Sequence, residues 1–177
     1  MENQIQIYDN VISLEENNII YNQLLYKGNY HYGEVDDDDH PPTGMVCSLD
    51  NDTTNKFVSI AKEKNSFTKE LSVNRVYANL FSPKENPYFH QDESVITALF
   101  YVNPPTSYDE GGETQFIVDD NVFGLLPKPC RLVLFDGKIP HRATSFRTIP
   151  RITVAIKFNC PEENIANGPS GNVLLNK

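Results

Sequence analysis

The chain has 177 residues, 39% of them hydrophobic and 22% charged, a size and balance that suit one globular domain with a sizeable core. Its formal net charge is −9, its longest charge run, 36–39, is acidic and its basic residues do not cluster, so a surface built to hold phosphate backbones is disfavoured and nucleic acid is not an expected partner. Three widely spaced cysteines, Cys47, Cys130 and Cys160, make neither a disulfide framework nor a CxxC metal site; reduced, mostly buried thiols are expected.

In chain order, the opening MENQIQIYDN lacks a basic stretch followed by an apolar core, so no secretory signal is expected there. No apolar run approaches the roughly 18 residues of a spanning helix, so no membrane contact is expected and the cytoplasm is the default setting. Residues 4–8 alternate polar and apolar. Ser13, followed by Glu15 and Glu16, has the chemistry of a helix N-cap with an acidic first turn, and the stripe Ile19, Ile20, Leu24, Leu25 carries that helix to about Gly28. Residues 29–50, with five Asp, Pro41-Pro42, Gly44 and two of the four His, predict a long loop with room for short strands. Loops of that length in compact domains often cover substrates, and solvated acidic residues are the plainer alternative. A second helix is predicted over 54–64, with Phe57, Ile60 and Ala61 turned inward, and no helix after it.

Strand-like runs follow at 73–81, 95–102, 115–118, 122–126, 131–135, 142–146 and 151–158, divided by segments rich in Pro, Gly, Asn and Asp. Two helices followed by seven or eight short strands predict a mainly β (α+β) fold, an antiparallel jelly roll with helices packed on one sheet. The expected division is helical support over 1–70, a jelly-roll core over 71–160 and a tail over 161–177, all in one domain. Phe100, Phe116, Leu132, Leu134, Ile152, Val154 and Ile156 are core candidates.

The chemistry concentrates between His90 and Arg151. In a strand, residues i and i+2 share a face, so His90 and Asp92 can converge on one ion, with His141 arriving from another strand. Two imidazoles and one carboxylate occupy one face of an octahedral Fe(II) and leave the other positions open. The spacing alone is weak, since a His-x-Asp arises by chance; His31 and His40, in the acidic loop, are expected to be solvated. Arg151, ten residues after His141, shares a strand face with Thr153. A buried arginine needs a partner. Either a ligand carboxylate sits in its planar fork or it makes a structural salt bridge to Glu113 or Asp136. Gly111-Gly112 predicts a tight turn with positive φ, and Glu113 a hydrogen bond to backbone or to a ligand histidine.

Several ordered pieces resemble the prolyl-4-hydroxylase-like branch of the 2-oxoglutarate and Fe(II)-dependent oxygenases. They are His90-Gln91-Asp92, the segments TALFYVN from Thr97 and GGETQF from Gly111, Leu132-Val133-Leu134-Phe135, Pro140-His141-Arg142, and Arg151. The opening IYDNVIS from Ile7 resembles that family's start, so the likeness spans most of the chain. The resemblance implies a double-stranded β-helix, iron on His90, Asp92 and His141 as the catalytic centre, and 2-oxoglutarate as cosubstrate. It also implies dioxygen as the oxidant and ascorbate as a candidate accessory. Arg151 would bind the distal carboxylate of 2-oxoglutarate, with help from Thr153 and Thr97.

Relatives often carry a cosubstrate-binding tyrosine nine residues before the first histidine. Phe81 stands there, so Tyr77 or Asn79, on the same strand face, is expected to take that role. Arg151 replaces the usual lysine and the chain has no tryptophan, departures that leave 2-oxoglutarate use intact and weaken proline as the substrate. The expected activity is hydroxylation of an unactivated C–H bond in a peptidyl (for instance prolyl) or small-molecule substrate, with succinate and CO2 released. The alternatives are a catalytically inactive cupin-like barrel that binds a metal or small carboxylate, and a zinc hydrolase, which would leave Arg151 and Thr153 without a reason.

Overall fold

Ser13, as predicted, closes the first turn of a helix: its side chain accepts from the Glu16 N–H at 3.2 Å, and α1 runs Leu14–Lys27. In the computed structural model, which describes residues 5–32 and 40–161, α1 follows β1 (Ile5–Tyr8). The acidic run 36–39 and the tail beyond 161 lie outside the described residues. The second helix, α2, spans Asn51–Lys64 and begins earlier than the apolar stripe implied, because Asp50 caps it through the Thr53 N–H at 2.8 Å. A short α3 (Ser66–Lys69), capped by Asn65, extends the helical layer beyond the expected end; four residues carry no periodicity to read.

The strands are β2 (Met45–Cys47), β3 (Ser72–Phe81), β4 (Ile96–Tyr101), β5 (Thr114–Val118), β6 (Asn121–Leu125), β7 (Arg131–Asp136), β8 (His141–Ala143) and β9 (Arg151–Asn159). They form a six-stranded antiparallel sheet in the order β1-β7-β4-β9-β3-β2 and a three-stranded sheet in the order β6-β5-β8. These mostly antiparallel sheets match the jelly-roll architecture predicted. The long loop contains β2, which pairs with β3. The predicted 142–146 strand shortens to β8, although Phe146 regains one bridge to Gly111.

Period-two alternation divides the large sheet between two cores. On one face Ala98, Phe100, Leu132, Ile152, Val154 and Ile156 join Ile20 and Leu24 of α1 and Phe57 and Ala61 of α2. The Phe57 and Phe100 rings lie 4.3 Å apart. Asn17 of α1 is fully buried here; its amide donates to the Val102 carbonyl at 2.8 Å and accepts from the Cys130 N–H at 3.2 Å. On the other face Leu99, Tyr101, Val133, Phe135 and Ala155 meet Phe116 and Ile139 beneath the small sheet. All the predicted core candidates are buried, each on the side its strand parity dictates. Of the cysteines, Cys47 and Cys130 are buried and free, whereas Cys160, one residue past β9, is exposed. No described helix is long and apolar enough to cross a membrane.

Candidate metal centre and cosubstrate pocket

The second face of the large sheet is the floor of a cleft of about 360 Å³. Strand register decides what the floor presents. Along β9 the cleft-facing positions are Arg151, Thr153, Ala155 and Lys157, opposed across β3 by Phe81, Asn79, Tyr77 and Arg75 respectively. On the other flank β4 sets Tyr101 beside Thr153, Leu99 beside Ala155 and Thr97 beside Lys157. A polar end, an apolar middle and a cationic end thus succeed one another along one strand.

Three predicted ligands meet over this floor. His141 opens β8, and His90 is bridged to it by reciprocal backbone hydrogen bonds of 3.0 and 2.9 Å, so the two imidazoles project side by side. Asp92 is fixed by its own N–H donating to the Gly137 carbonyl at 2.8 Å. The close approach requires glycine: a Cβ at position 137 would lie 2.1 Å from the Ser94 carbonyl oxygen. Asp92 Oδ1 is 4.0 Å from His90 Nε2, and Oδ2 is 3.5 Å from His141 Nε2. One donor atom from each of the three lies within 4.8 Å of the others, close enough to share an ion.

The tautomers follow from the neighbours. His90 Nδ1 lies 3.2 Å from the Tyr88 carbonyl and His141 Nδ1 lies 2.8 Å from the Ile139 carbonyl. A carbonyl only accepts, so each Nδ1 carries the proton and each Nε2 keeps its lone pair for a metal. Burial holds the His141 imidazolium down to a pKa of about 4, against the opposing pull of Asp92. Burial pushes the Asp92 carboxyl up, but the Lys157 ammonium and His141 outweigh it and the carboxylate stays ionised below its usual range.

At the polar end Arg151 is 1% exposed, and among the described residues it makes no ion pair with a carboxylate. Its Nε donates to the Gly112 carbonyl and one terminal nitrogen to Thr114 Oγ1, each at 2.9 Å, while Tyr101 hydroxyl and Thr114 Oγ1 lie 2.6 Å apart. The salt bridge to Glu113 or Asp136 does not form: Glu113 accepts from the Thr144 hydroxyl at 2.7 Å, and Asp136 from the Lys138 N–H at 2.8 Å. Gly112, at φ +83°, brings its carbonyl to Arg151 by packing under Phe146, where a Cβ would meet ring carbon at 2.3 Å. On the same strand face the Thr153 hydroxyl is buried and, among the described residues, has no hydrogen-bond partner. A buried cation and an orphaned hydroxyl on one strand face fit a carboxylate ligand, since it supplies charge and acceptors together.

Other predicted residues fall as follows. Tyr77 and Asn79 line the cleft on β3, with the Arg75 guanidinium 4.3 Å above the Tyr77 ring. Thr97 lies at the metal end, where its hydroxyl donates to Asp92 Oδ2. His31 is exposed, whereas His40 is half-buried and stacks on Tyr88 at 3.9 Å between ring centroids, so it is not simply solvated. Sequence reasoning missed Lys157, whose ammonium pairs with Asp92, and the Tyr101–Thr114 pair behind Arg151. The parity that selected Thr153 from Arg151 also selects Lys157; Thr114 comes from the other sheet and carries no such signal.

Solved structures of similar fold include prolyl hydroxylases and a member of the 2OG-Fe(II) oxygenase family from Burkholderia pseudomallei. A Pseudomonas putida prolyl-4-hydroxylase superposes with a TM-score of 0.73 at 13% identity, over 89% of this chain and 93% of that one. A Trichoplax adhaerens prolyl hydroxylase, in complex with a hypoxia inducible factor oxygen degradation domain peptide fragment, gives 0.71 at 16% identity over 89% and 84%. The 2-oxoglutarate complex of a viral collagen prolyl hydroxylase from Paramecium Bursaria Chlorella virus-1 gives 0.70 at 15% identity over 90% and 98%. No protein-family profile and no curated protein sequence matches the chain. At these identities the likeness is one of fold.

Proposed function

We propose that the protein is a non-haem Fe(II)- and 2-oxoglutarate-dependent dioxygenase that hydroxylates a C–H bond of a peptidyl or small-molecule substrate. The observation that carries this reading is Arg151, buried without a carboxylate partner among the described residues and flanked by the Thr153 hydroxyl, which has no hydrogen-bond partner among them, in the same cleft as the His90, Asp92 and His141 cluster. A metal on that cluster would keep open positions, as dioxygen chemistry needs and a four-ligand structural site denies.

When bound, iron and 2-oxoglutarate supply dioxygen activation coupled to decarboxylation. The chain supplies position and dryness. The two Nδ1–H groups lock both imidazoles with Nε2 toward the metal. Arg151 and Thr153 hold the distal carboxylate at the far end of the cleft, so the 2-oxo acid end is presented to the metal. Leu99, Phe135 and Ala155 line the space between and exclude water. Tyr77 and Asn79 flank this path and position the cosubstrate from β3.

The peptide-bound neighbour favours a peptide as one class of substrate. The free cysteines suit a reducing compartment, the cytoplasm by default. Anaerobic titration of Fe(II)-loaded protein with 2-oxoglutarate tests the proposal through the visible charge-transfer band of the chelate. The band should appear in the wild type and vanish in Asp92→Ala. A folded wild type that gives no band would leave an inactive barrel as the reading.

A further inference from the structure

The cationic end of the cleft floor is not used by the function proposed above. Lys157 is the fourth cleft-facing residue of β9, and across β3 it stands directly opposite Arg75. The Lys157 side chain is only 13% exposed, and its ammonium forms an ion pair with Asp92 Oδ2 and lies 3.3 Å from Thr97 Oγ1. Thr97 donates to the same Oδ2, and Ser94 Oγ is 2.9 Å from the Thr97 hydroxyl. Among the described residues no donor hydrogen-bonds Oδ1, which lies 4.0 Å from His90 Nε2, whereas Oδ2, already held by Lys157 and Thr97, lies 3.5 Å from His141 Nε2.

We infer that Lys157 is a positioning residue of the metal centre: with Thr97 it occupies Asp92 Oδ2, so that the carboxylate offers a metal Oδ1 alone. The inference rests on the metal-dependent reading above and assigns a role that reading leaves blank. A carboxylate oxygen has two lone-pair directions, and two donors fill both. A carboxylate with both oxygens available can chelate and take two coordination positions. One restricted to Oδ1 would take a single position and leave the remaining ones free for a 2-oxo acid and dioxygen. The donors come from β9 and β4, so the carboxylate plane is set by the sheet and not by the loop that carries Asp92.

The role predicts two effects of opposite sign. In Lys157→Met the second oxygen is released and a nearby cation is removed, so Mn(II) should bind about tenfold more tightly. The metal-loaded variant should then bind 2-oxoglutarate about tenfold more weakly, roughly 1.4 kcal/mol each way. Lys157→Gln removes the charge but retains a donor to Oδ2, and should tighten Mn(II) while keeping wild-type 2-oxoglutarate affinity. Lys157→Arg should restore both values. Mn(II) binding followed by electron paramagnetic resonance and 2-oxoglutarate binding followed by calorimetry read these directly, without turnover.

A Lys157→Met protein with wild-type 2-oxoglutarate affinity overturns the inference. If that variant fails to fold, a crystal structure of Mn(II)-loaded wild type decides: metal on Oδ1 with Lys157 on Oδ2 supports it, and metal on Oδ2 or on both oxygens refutes it. Wild type that binds no divalent metal removes the dioxygenase reading and this inference together. Wild type that binds metal and 2-oxoglutarate, with variants that behave alike, removes the inference only.

Discussion

Replacing Arg151 with methionine tests the cosubstrate pocket most sharply, because the side chain is buried and the expected effect depends on the ligand. The guanidinium is 1% exposed and its protein partners are a carbonyl and a hydroxyl, Gly112 and Thr114. Truncating one member of a buried, hydrogen-bonded charge pair costs about 2 to 5 kcal/mol, or roughly 30- to 4,000-fold in affinity. Arg151→Met should therefore weaken 2-oxoglutarate by at least about thirtyfold. The control is 2-oxovalerate, which keeps the chelating 2-oxo acid and lacks the distal carboxylate. Wild type should prefer 2-oxoglutarate strongly, and Arg151→Met should bind the two alike, so the pair of ligands and the pair of proteins form a cycle. Anaerobic titration of Fe(II)-loaded protein measures all four corners. The fold should survive, since in the free protein methionine removes a buried cation with no carboxylate partner. Equal losses for the two ligands, or a wild type indifferent between them, would return Arg151 to a structural role.

Thr153→Val replaces a buried hydroxyl that has no partner with an isosteric methyl, so stability should hold or rise by a few tenths to about 1 kcal/mol while 2-oxoglutarate affinity falls about three- to tenfold. Thermal melts set beside the same titration check it, and a destabilised variant with normal affinity would mean that Thr153 serves packing. The pH dependence of stability follows from His141. Its folded pKa is about 4 and its ordinary value is 6.5, so between the two the unfolded chain holds a proton that the folded chain refuses. Its contribution is whole above about 6.5 and is lost as pH falls toward 4, by roughly 3 kcal/mol at most. Urea midpoints of metal-free protein at pH 7.5 and 5 should differ, and His141→Asn should shrink the difference; an equal drop in both proteins would place its cause elsewhere. Asn17→Leu strands the Val102 carbonyl and the Cys130 N–H, and should cost about 2 to 5 kcal/mol by urea denaturation without altering metal affinity.

Much of this architecture was legible in the chain because its signals are local. Ser13 and its acidic neighbours mark the start of α1, and alternation along 96–101 and 151–159 separates helix-facing from cleft-facing residues. His-x-Asp spacing and the pairing of Arg151 with Thr153 follow from the same alternation. Where the reading failed, the cause was non-local or too short to register. The start of α2 depends on one cap, Asp50, and α3 is a single turn. His40 is held by a ring 48 positions away in the chain, on Tyr88, and the Thr97 hydroxyl is turned to the metal end by Asp92.

By itself, then, the sequence determined the alternating faces, the helix starts, the donor types of the site and a pocket arginine in want of a carboxylate. Those are properties of composition and period, which a chain carries before it folds. Only the tertiary structure decided how strands far apart in sequence pair. That pairing sets His90 beside His141, turns Thr114 and Gly112 to Arg151, leaves the Thr153 hydroxyl unanswered and presses Lys157 against Asp92. Register between distant strands is a balance of packing summed over both sheets, and no short stretch of residues encodes it.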